Sequence, residues 1–413
     1  MVSSESGSLV STQPGKTGGM KKTITDFDLR GKRVLIRVDF NVPLDKNLNI
    51  TDDNRIRASL PTIQYALDHG AKVVLMSHLG RPEGKPVSSM SLSPAAQRLS
   101  ELLKKEVIQC SDCIGPRVKE ELTQLNGGAS IALLENLRFS PLEEKNDPVF
   151  AKALAENGDI YINDAFGSSH RAHASIEGIT HYLPSGAGLL LEKEIRYLGD
   201  AMQHPKKPFV AILGGSKVSD KIGVVENLIS KVDKILIGGA MAYTFLKVQG
   251  IEIGGSRFEK DKLDLAKTIL EKAKQHKVEI LLPVDHLVVQ KVDENTPVKF
   301  EGPSISPGWF GVDIGPKTVD LFCRTLSAAK TVMWNGPMGI FEMKAFAKGS
   351  YEVALNLSKL QGATTVIGGG DTAACVIGFG LADKMSHIST GGGASLEYLE
   401  GKGLPGIDAL QDK

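Results

Sequence analysis

Residues 209–221 read FVAILGGSKVSDK, and the theme they carry recurs through the rest of the chain. Residues 209–212 are apolar without polar alternation, the pattern of a strand covered on both faces. Gly214 and Gly215 suit a tight turn, and beyond Ser216 and Lys217 the spacing becomes helical. Strand, glycine turn and helix make a βα unit, the building block of a parallel sheet. The stretch does not fit the Walker pattern G-x-x-x-x-G-K-[ST], so two glycines and a lysine after a strand do not by themselves identify a ligand.

The same theme runs in both directions from this point. Upstream, short apolar runs at 34–38, 73–76, 131–134 and 160–162 read as strands, and downstream those at 234–237, 280–282, 331–334, 364–367 and 387–389 do the same. Between the first two runs Ile56, Leu60, Ile63 and Leu67 recur at helical spacing, with Gly70 as the stop signal. The chain is therefore α/β and parallel, and it builds that arrangement twice. Residues 189–204 form an amphipathic helical stretch ending at a proline-bracketed basic turn, HPKKP at 204–208, which marks the domain boundary. The division expected is a first domain at 20–188, the joining helix at 189–204, a second domain at 205–395 and a closing segment at 396–413 that packs back toward the first domain. Residues 1–19, rich in Ser, Thr and Gly, are expected to be a disordered leader.

Composition narrows the function classes. With 413 residues, two domains are the natural division. Lys and Arg number 49 against 48 Asp and Glu, so the whole surface holds no attraction for nucleic acid or anionic membrane, and any polyanion site is a local cluster. No apolar run reaches the roughly 18 residues of a membrane span, and no secretory signal opens the chain, so a cytoplasmic location is expected. Four cysteines, at 110, 113, 323 and 375, are too few and scattered for a disulfide framework. Cys110 and Cys113 form a C-x-x-C with neither a second such pair nor a nearby histidine, and read as two ordinary thiols.

Ligands of open parallel sheets bind beyond the carboxyl ends of the strands. In the first half those positions carry cations: Arg55, His78, Arg81, Arg138, His170 and Arg171. Guanidinium forks match phosphate and carboxylate oxygens in pairs, so a convergence of them predicts a small, multiply charged anion. A metal site at His170 and His173 is not completed by any neighbouring carboxylate or thiol. In the second half the same positions carry glycines: Gly214-Gly215, Gly238-Gly239, Gly336, Gly368 to Gly370 and Gly391 to Gly393, with Lys217, Lys221, Glu342 and Asp371 beside them. Close backbone approach and helix N-termini are what a nucleotide requires. GKGLPG at 401–406 matches G-x-G-x-x-G in letters, but it follows a helical segment, so the dinucleotide context of a dehydrogenase is missing.

Taken together, RVDFNVP (37–43), SHLGRP (77–82), NDAFGSSHRAH (163–173), GGSKVSDK (214–221), WNGPMGIFE (334–342), GGGDT (368–372) and STGGGASLE (389–397) resemble the phosphoglycerate kinases. The likeness runs from about residue 22 to the end, with Ala240 standing where a third glycine is common. It implies two doubly wound, Rossmann-like domains joined by a hinge helix, in a monomer that exchanges a phosphoryl group between 1,3-bisphosphoglycerate and ADP, giving 3-phosphoglycerate and Mg-ATP. By the same resemblance Asp39, Phe40, Asn41, Arg55, His78, Leu79, Gly80, Arg81, Arg138, His170 and Arg171 are expected around the sugar acid. Gly215, Ser216, Lys217, Lys221, Gly238, Gly239, Gly311, Asn335, Glu342, Gly369, Gly370, Asp371 and Thr372 are expected around the nucleotide, with Asp371 as the Mg2+ ligand. Arg55, Lys217, Gly392 and Gly393 are expected to act on the transferring group. A non-catalytic scaffold on the same fold is the remaining alternative, and the retention of Lys217, Asp371 and the cations argues against it.

Overall fold

The computed structural model describes residues 20–127 and 130–413; the expected leader at 1–19 lies outside them. Six strands form the first sheet: β1 Arg33–Arg37, β2 Lys72–Met76, β3 Val107–Gln109, β4 Ile131–Leu133, β5 Ile160–Asn163 and β6 Ser185–Ala187. They lie in the order β3-β4-β2-β1-β5-β6, and every pairing is parallel. Both faces are buried, which explains the missing alternation: Val34 and Ile36 pack into one apolar cluster while Leu35, between them, packs into another on the opposite face. Connections run outward from β1 on one side and from β5 on the other, so the gap between β1 and β5 is a topological switch point.

The second sheet repeats the design. β7 Phe209–Leu213, β8 Lys234–Ile237, β9 Glu279–Leu281, β13 Thr331–Asn335, β14 Thr364–Gly368 and β15 His387–Ile388 lie in the order β15-β14-β13-β7-β8-β9, again all parallel. Its switch point falls between β7 and β13, beside the glycine turn of residues 214–215. The two doubly wound parallel sheets expected from the sequence are thus both present. A smaller antiparallel sheet, β10 His286–Val289, β11 Lys299–Glu301 and β12 Phe310–Ile314, was not foreseen. Polar or charged residues interrupt its strands, His286 in β10, Lys299 and Glu301 in β11 and Asp313 in β12, so they carry little of the apolar signal that marked the others. β3 and β6 were missed as well, the first being two apolar residues between Glu106 and Gln109 and the second only Ser-Gly-Ala.

The helix Leu189–Gln203 joins the halves. Asp164, just after β5, accepts the N–H groups of Leu190 and Leu191 at 3.0 and 3.2 Å and so caps the helix from within the first domain. Leu191, Leu198, Ala201 and Met202 lie on its buried face and belong to one apolar cluster that also takes in Leu35 of β1 and Phe209 of β7. The last residues return to the first domain: Lys22 N–H bonds Gln411 O at 2.8 Å, Gly406 N–H bonds Ser169 O at 2.9 Å, and Asn163 Nδ2 bonds Gly406 O at 2.8 Å. The chain therefore crosses between the domains twice, once by the helix and once by its closing segment.

Candidate active site

The carboxyl ends of β1, β2, β4 and β5 open onto a cavity of about 340 Å3. Asp39 and Asn41 enter it after β1, Arg55 from the start of the helix Asn54–Asp68, His78, Gly80 and Arg81 after β2, Arg138 after β4, and His170 and Arg171 after β5. Parallel strands end on one side of a sheet, so residues more than a hundred positions apart in the chain converge. Four guanidiniums face one carboxylate, Asp39, on this wall, an imbalance that favours a ligand with several negative charges. Gly167, Ser168 and Gly391 line the cavity too. Gly391 belongs to the glycine run 391–393 already marked in the sequence; Gly167 and Ser168 carry no side-chain charge, and their signal was position, just before His170.

Hydrogen bonds fix the wall before any ligand arrives. Arg55 Nη1 lies 2.5 Å from Asp39 Oδ2. Gly80 sits in the left-handed region at φ +63°, its N–H donating to Asn41 Oδ1 at 2.9 Å and its carbonyl accepting from Arg138 Nη1 at 2.8 Å. Burial pushes the Asp39 carboxyl up, but the neighbouring His78 ring, Arg55, Arg37 and the Asn41 N–H more than offset this and hold it below its usual range. His78 is driven well below its ordinary value, first by burial and then by Arg37, Arg138 and Arg55, against the opposing pull of Asp39. His170 is lowered as well, chiefly by burial. Phe40 and Leu79 stand apart: both side chains are buried in the core beneath β1 and β2, and their N–H groups bond Ser77 Oγ and Asn136 Oδ1.

At the second switch point the backbone itself is crowded. A Cβ on Gly214 would strike the carbonyls of Gly336 and Pro337, and one on Gly336, at φ +101°, would strike Gly214. Gly239, at φ +66°, lies against Gly215 and Pro337, while Gly238 lies against Met338. The turns after β7, β8 and β13 are thus packed together through glycine. Thr372 Oγ1 accepts the Gly336 N–H at 2.7 Å, tying in the start of the helix Gly370–Gly378, and Lys221 Nζ donates to Asn335 Oδ1. Asn335 Nδ2 is buried without a partner beside Gly369. Gly311, on β12, lies directly against the Tyr243 hydroxyl, and its N–H donates to Ser256 Oγ at 2.9 Å. Ser216, Lys217, Glu342, Gly370 and Asp371 are exposed around this surface.

Two expected residues sit on the opposite bank from their strand. Gly392 and Gly393 follow β15 of the second sheet, yet they close the cavity of the first, where a Cβ on Gly393 would come 3.8 Å from His170 Nε2. They start the helix Gly393–Leu399, with Gly392 in the left-handed region at φ +49°. The loop before them is gripped by the interdomain helix: Glu194, fully buried, accepts from Thr390 N–H at 2.7 Å, from Thr390 Oγ1 at 2.9 Å and from His387 Nε2 at 2.7 Å. Lys217 does not line the cavity; it is exposed on the turn after β7.

Comparison with known proteins finds relatives along nearly the whole chain. The family model for phosphoglycerate kinase matches residues 24–402. A phosphoglycerate kinase of Gloeothece citriformis is 58% identical over 401 residues, covering 95% of this chain and 99% of the relative. One of Koribacter versatilis is 58% identical over 402 residues, covering 95% and 100%. The structure of phosphoglycerate kinase from Coxiella burnetii superposes with a TM-score of 0.85 at 41% identity, covering 94% of this chain and 98% of that one. With the fold, the order of the motifs and these relatives all in agreement, the chain belongs to the phosphoglycerate kinase family.

Proposed function

We propose that the cation-lined cavity holds the sugar acid, that the packed glycine turns hold the nucleotide, and that the two meet when the domains close about the helix Leu189–Gln203. The activity is that of the family, a glycolytic phosphotransferase with a carboxyl group as acceptor: 1,3-bisphosphoglycerate and ADP exchange with 3-phosphoglycerate and ATP. The observation that carries the division of labour is the contrast between the two switch points, guanidiniums at one and bare backbone at the other. All the named groups come from a single chain, so a monomer suffices. No helix among the described residues is long and apolar enough to cross a membrane, and we place the activity in the cytoplasm.

In the direction of acyl-phosphate formation the nucleophile is the carboxylate of 3-phosphoglycerate. Its pKa, near 4 or below, leaves it ionised at neutral pH, so no general base is required. The protein's task is to align donor and acceptor for in-line transfer and to neutralise the equatorial phosphoryl oxygens. Arg55 serves from the first domain, Lys217 from the second, and the N–H groups of Gly392 and Gly393 close the cradle between them. Asp371, exposed in the first turn of the helix Gly370–Gly378, is the residue that would hold Mg2+. No cluster of three metal-ligating side chains occurs among the described residues, which suits an ion carried on nucleotide phosphates and needing one or two carboxylates. When bound, the ion supplies positive charge to those phosphates. Lys221 stays with the nucleotide side, beside Asn335. Closure excludes water that would otherwise hydrolyse the acyl phosphate.

Calorimetric titration separates the two halves. Arg138→Ala is expected to weaken 3-phosphoglycerate binding at least about tenfold, the loss of one charge-assisted pair, with ADP binding unchanged, and Lys221→Ala is expected to do the reverse. Loss of ADP binding in Arg138→Ala, with the fold intact, contradicts the division.

A further inference from the structure

Behind the His78 wall lies a buried polar chain whose other members do not line the cavity. Arg37, the last residue of β1, is 1% exposed and uses its guanidinium in three directions. Nε donates to Ser175 Oγ at 2.9 Å, Nη1 donates to the Val38 carbonyl, and Nη2 meets His78 Nδ1 at 3.1 Å. Ser175 then donates twice to Glu143, from Oγ to Oε1 at 2.6 Å and from N–H to Oε2 at 2.9 Å. Glu143 is 1% exposed and Ser175 wholly buried.

The direction of every bond in this chain is determined by what each group can do. A guanidinium has donors and no acceptor. Ser175 Oγ therefore receives from Arg37 and gives its proton to Glu143, and His78 Nδ1 has to be the acceptor. An imidazole whose Nδ1 accepts, and which is not protonated twice, carries its proton on Nε2. With Nδ1 turned onto Arg37, the Nε2 edge is the part of the ring left for the cavity. A guanidinium this deeply buried needs a counter-charge, and the chain ends on the Glu143 carboxyl at the remove of one serine; burial pushes that carboxyl up, against the pull of Arg37, the two Ser175 hydrogen bonds and Arg138. The charged groups around His78 are Arg37, Arg138, Arg55 and Asp39; those around Glu143 are Arg37 and Arg138, with His173 Nδ1 at 3.9 Å.

We infer that Glu143 and Ser175 are positioning residues for substrate binding: acting through Arg37, they hold His78 as the Nε2–H tautomer, so the cavity meets its anion with a fixed neutral donor among its guanidiniums. This rests on the reading of the cavity as the sugar-acid site. The depressed basicity of His78, due first to its burial, agrees with a neutral ring.

The test is nitrogen NMR of the full chain labelled at histidine, with the His78 signals identified by their loss in His78→Gln. Between pH 5.5 and 8 the expected result is a protonated Nε2 and a bare Nδ1. Ser175→Ala and Glu143→Gln are expected to admit the second tautomer and to weaken 3-phosphoglycerate binding roughly fivefold, the share of one hydrogen bond, with ADP binding unchanged. An Nδ1–H tautomer in the unsubstituted protein overturns the inference without recourse to any variant. Folded variants that keep both tautomer and affinity overturn it too. If the tautomer is as stated but His78→Gln binds 3-phosphoglycerate normally, the reading of the cavity fails, and the substrate role inferred for Glu143 and Ser175 fails with it.

Discussion

At Lys217 a single ammonium, exposed on the turn after β7, is asked to meet the phosphoryl group in transit. Lys217→Ala is expected to lower turnover at least about a hundredfold, the usual cost of removing one preorganised donor to a developing charge, while the thermal midpoint stays put. Near-normal turnover in a coupled assay removes the lysine from this role. Gly336 makes the complementary point about absence of a side chain. At φ +101° and against Gly214, it cannot take a Cβ without moving the neighbouring turn, so Gly336→Ala is expected to cost about 1–3 kcal/mol in denaturant unfolding. ADP affinity should fall with it, because the Thr372 Oγ1 bond to Gly336 N–H is displaced, and 3-phosphoglycerate affinity should not. Such residues were legible in the sequence as glycines after strands. Which glycine touches which was not, since that depends on the lateral order of the strands. Arg37, Glu143 and Ser175 were illegible for a related reason: buried polar residues scattered over nearly 140 positions meet only once the sheet is assembled.

Among the elements, the parallel strands announced themselves because burial on two faces demands unbroken apolar runs. β6, with three small residues, and the antiparallel strands β10 to β12, interrupted by polar or charged residues, lack that signal and were not seen. The helix Leu189–Gln203 was visible as a helix, but its hold on the second domain was not. Glu194 reaches from that helix to His387 and Thr390, next to the glycines that close the cavity. Glu194→Ala leaves a buried imidazole and a backbone N–H without their acceptor. The expected loss in chemical denaturation is roughly 3 kcal/mol or more, with turnover reduced because the Gly392-Gly393 cradle loses its anchor. An unchanged unfolding midpoint together with unchanged turnover rules out the coupling of helix to cradle.

For the molecule as a whole, pH acts in two opposite senses. His173 is pushed down to about 3, first by burial and then by Arg37, Arg138 and Arg171. Between that value and the ordinary 6.5 the unfolded chain binds more protons, so the contribution of His173 to stability is present above 6.5 and is lost as pH falls toward 3. Asp313 is pushed up to about 7, chiefly by burial. Here the folded state binds more protons, and the contribution is present below the ordinary carboxylate range and lost as pH rises through 7. Relative to the parent, His173→Gln is therefore expected to gain stability as pH drops from 7 to 4, and Asp313→Asn to gain it as pH rises from 5 to 8. Denaturant midpoints across that range check both slopes. Small-angle scattering checks the closure: the radius of gyration is expected to shrink when both substrates are bound, and identical profiles with and without them contradict hinge closure.

The family's reaction moves a phosphoryl group between a carboxylate and a nucleotide. Its assay in this protein is steady-state consumption of ATP with 3-phosphoglycerate and Mg2+, followed in the folded chain. Turnover is expected to saturate in both substrates and to fall away when 3-phosphoglycerate is omitted; a folded protein that binds both substrates yet transfers nothing would show that the residues proposed for the reaction do not carry it.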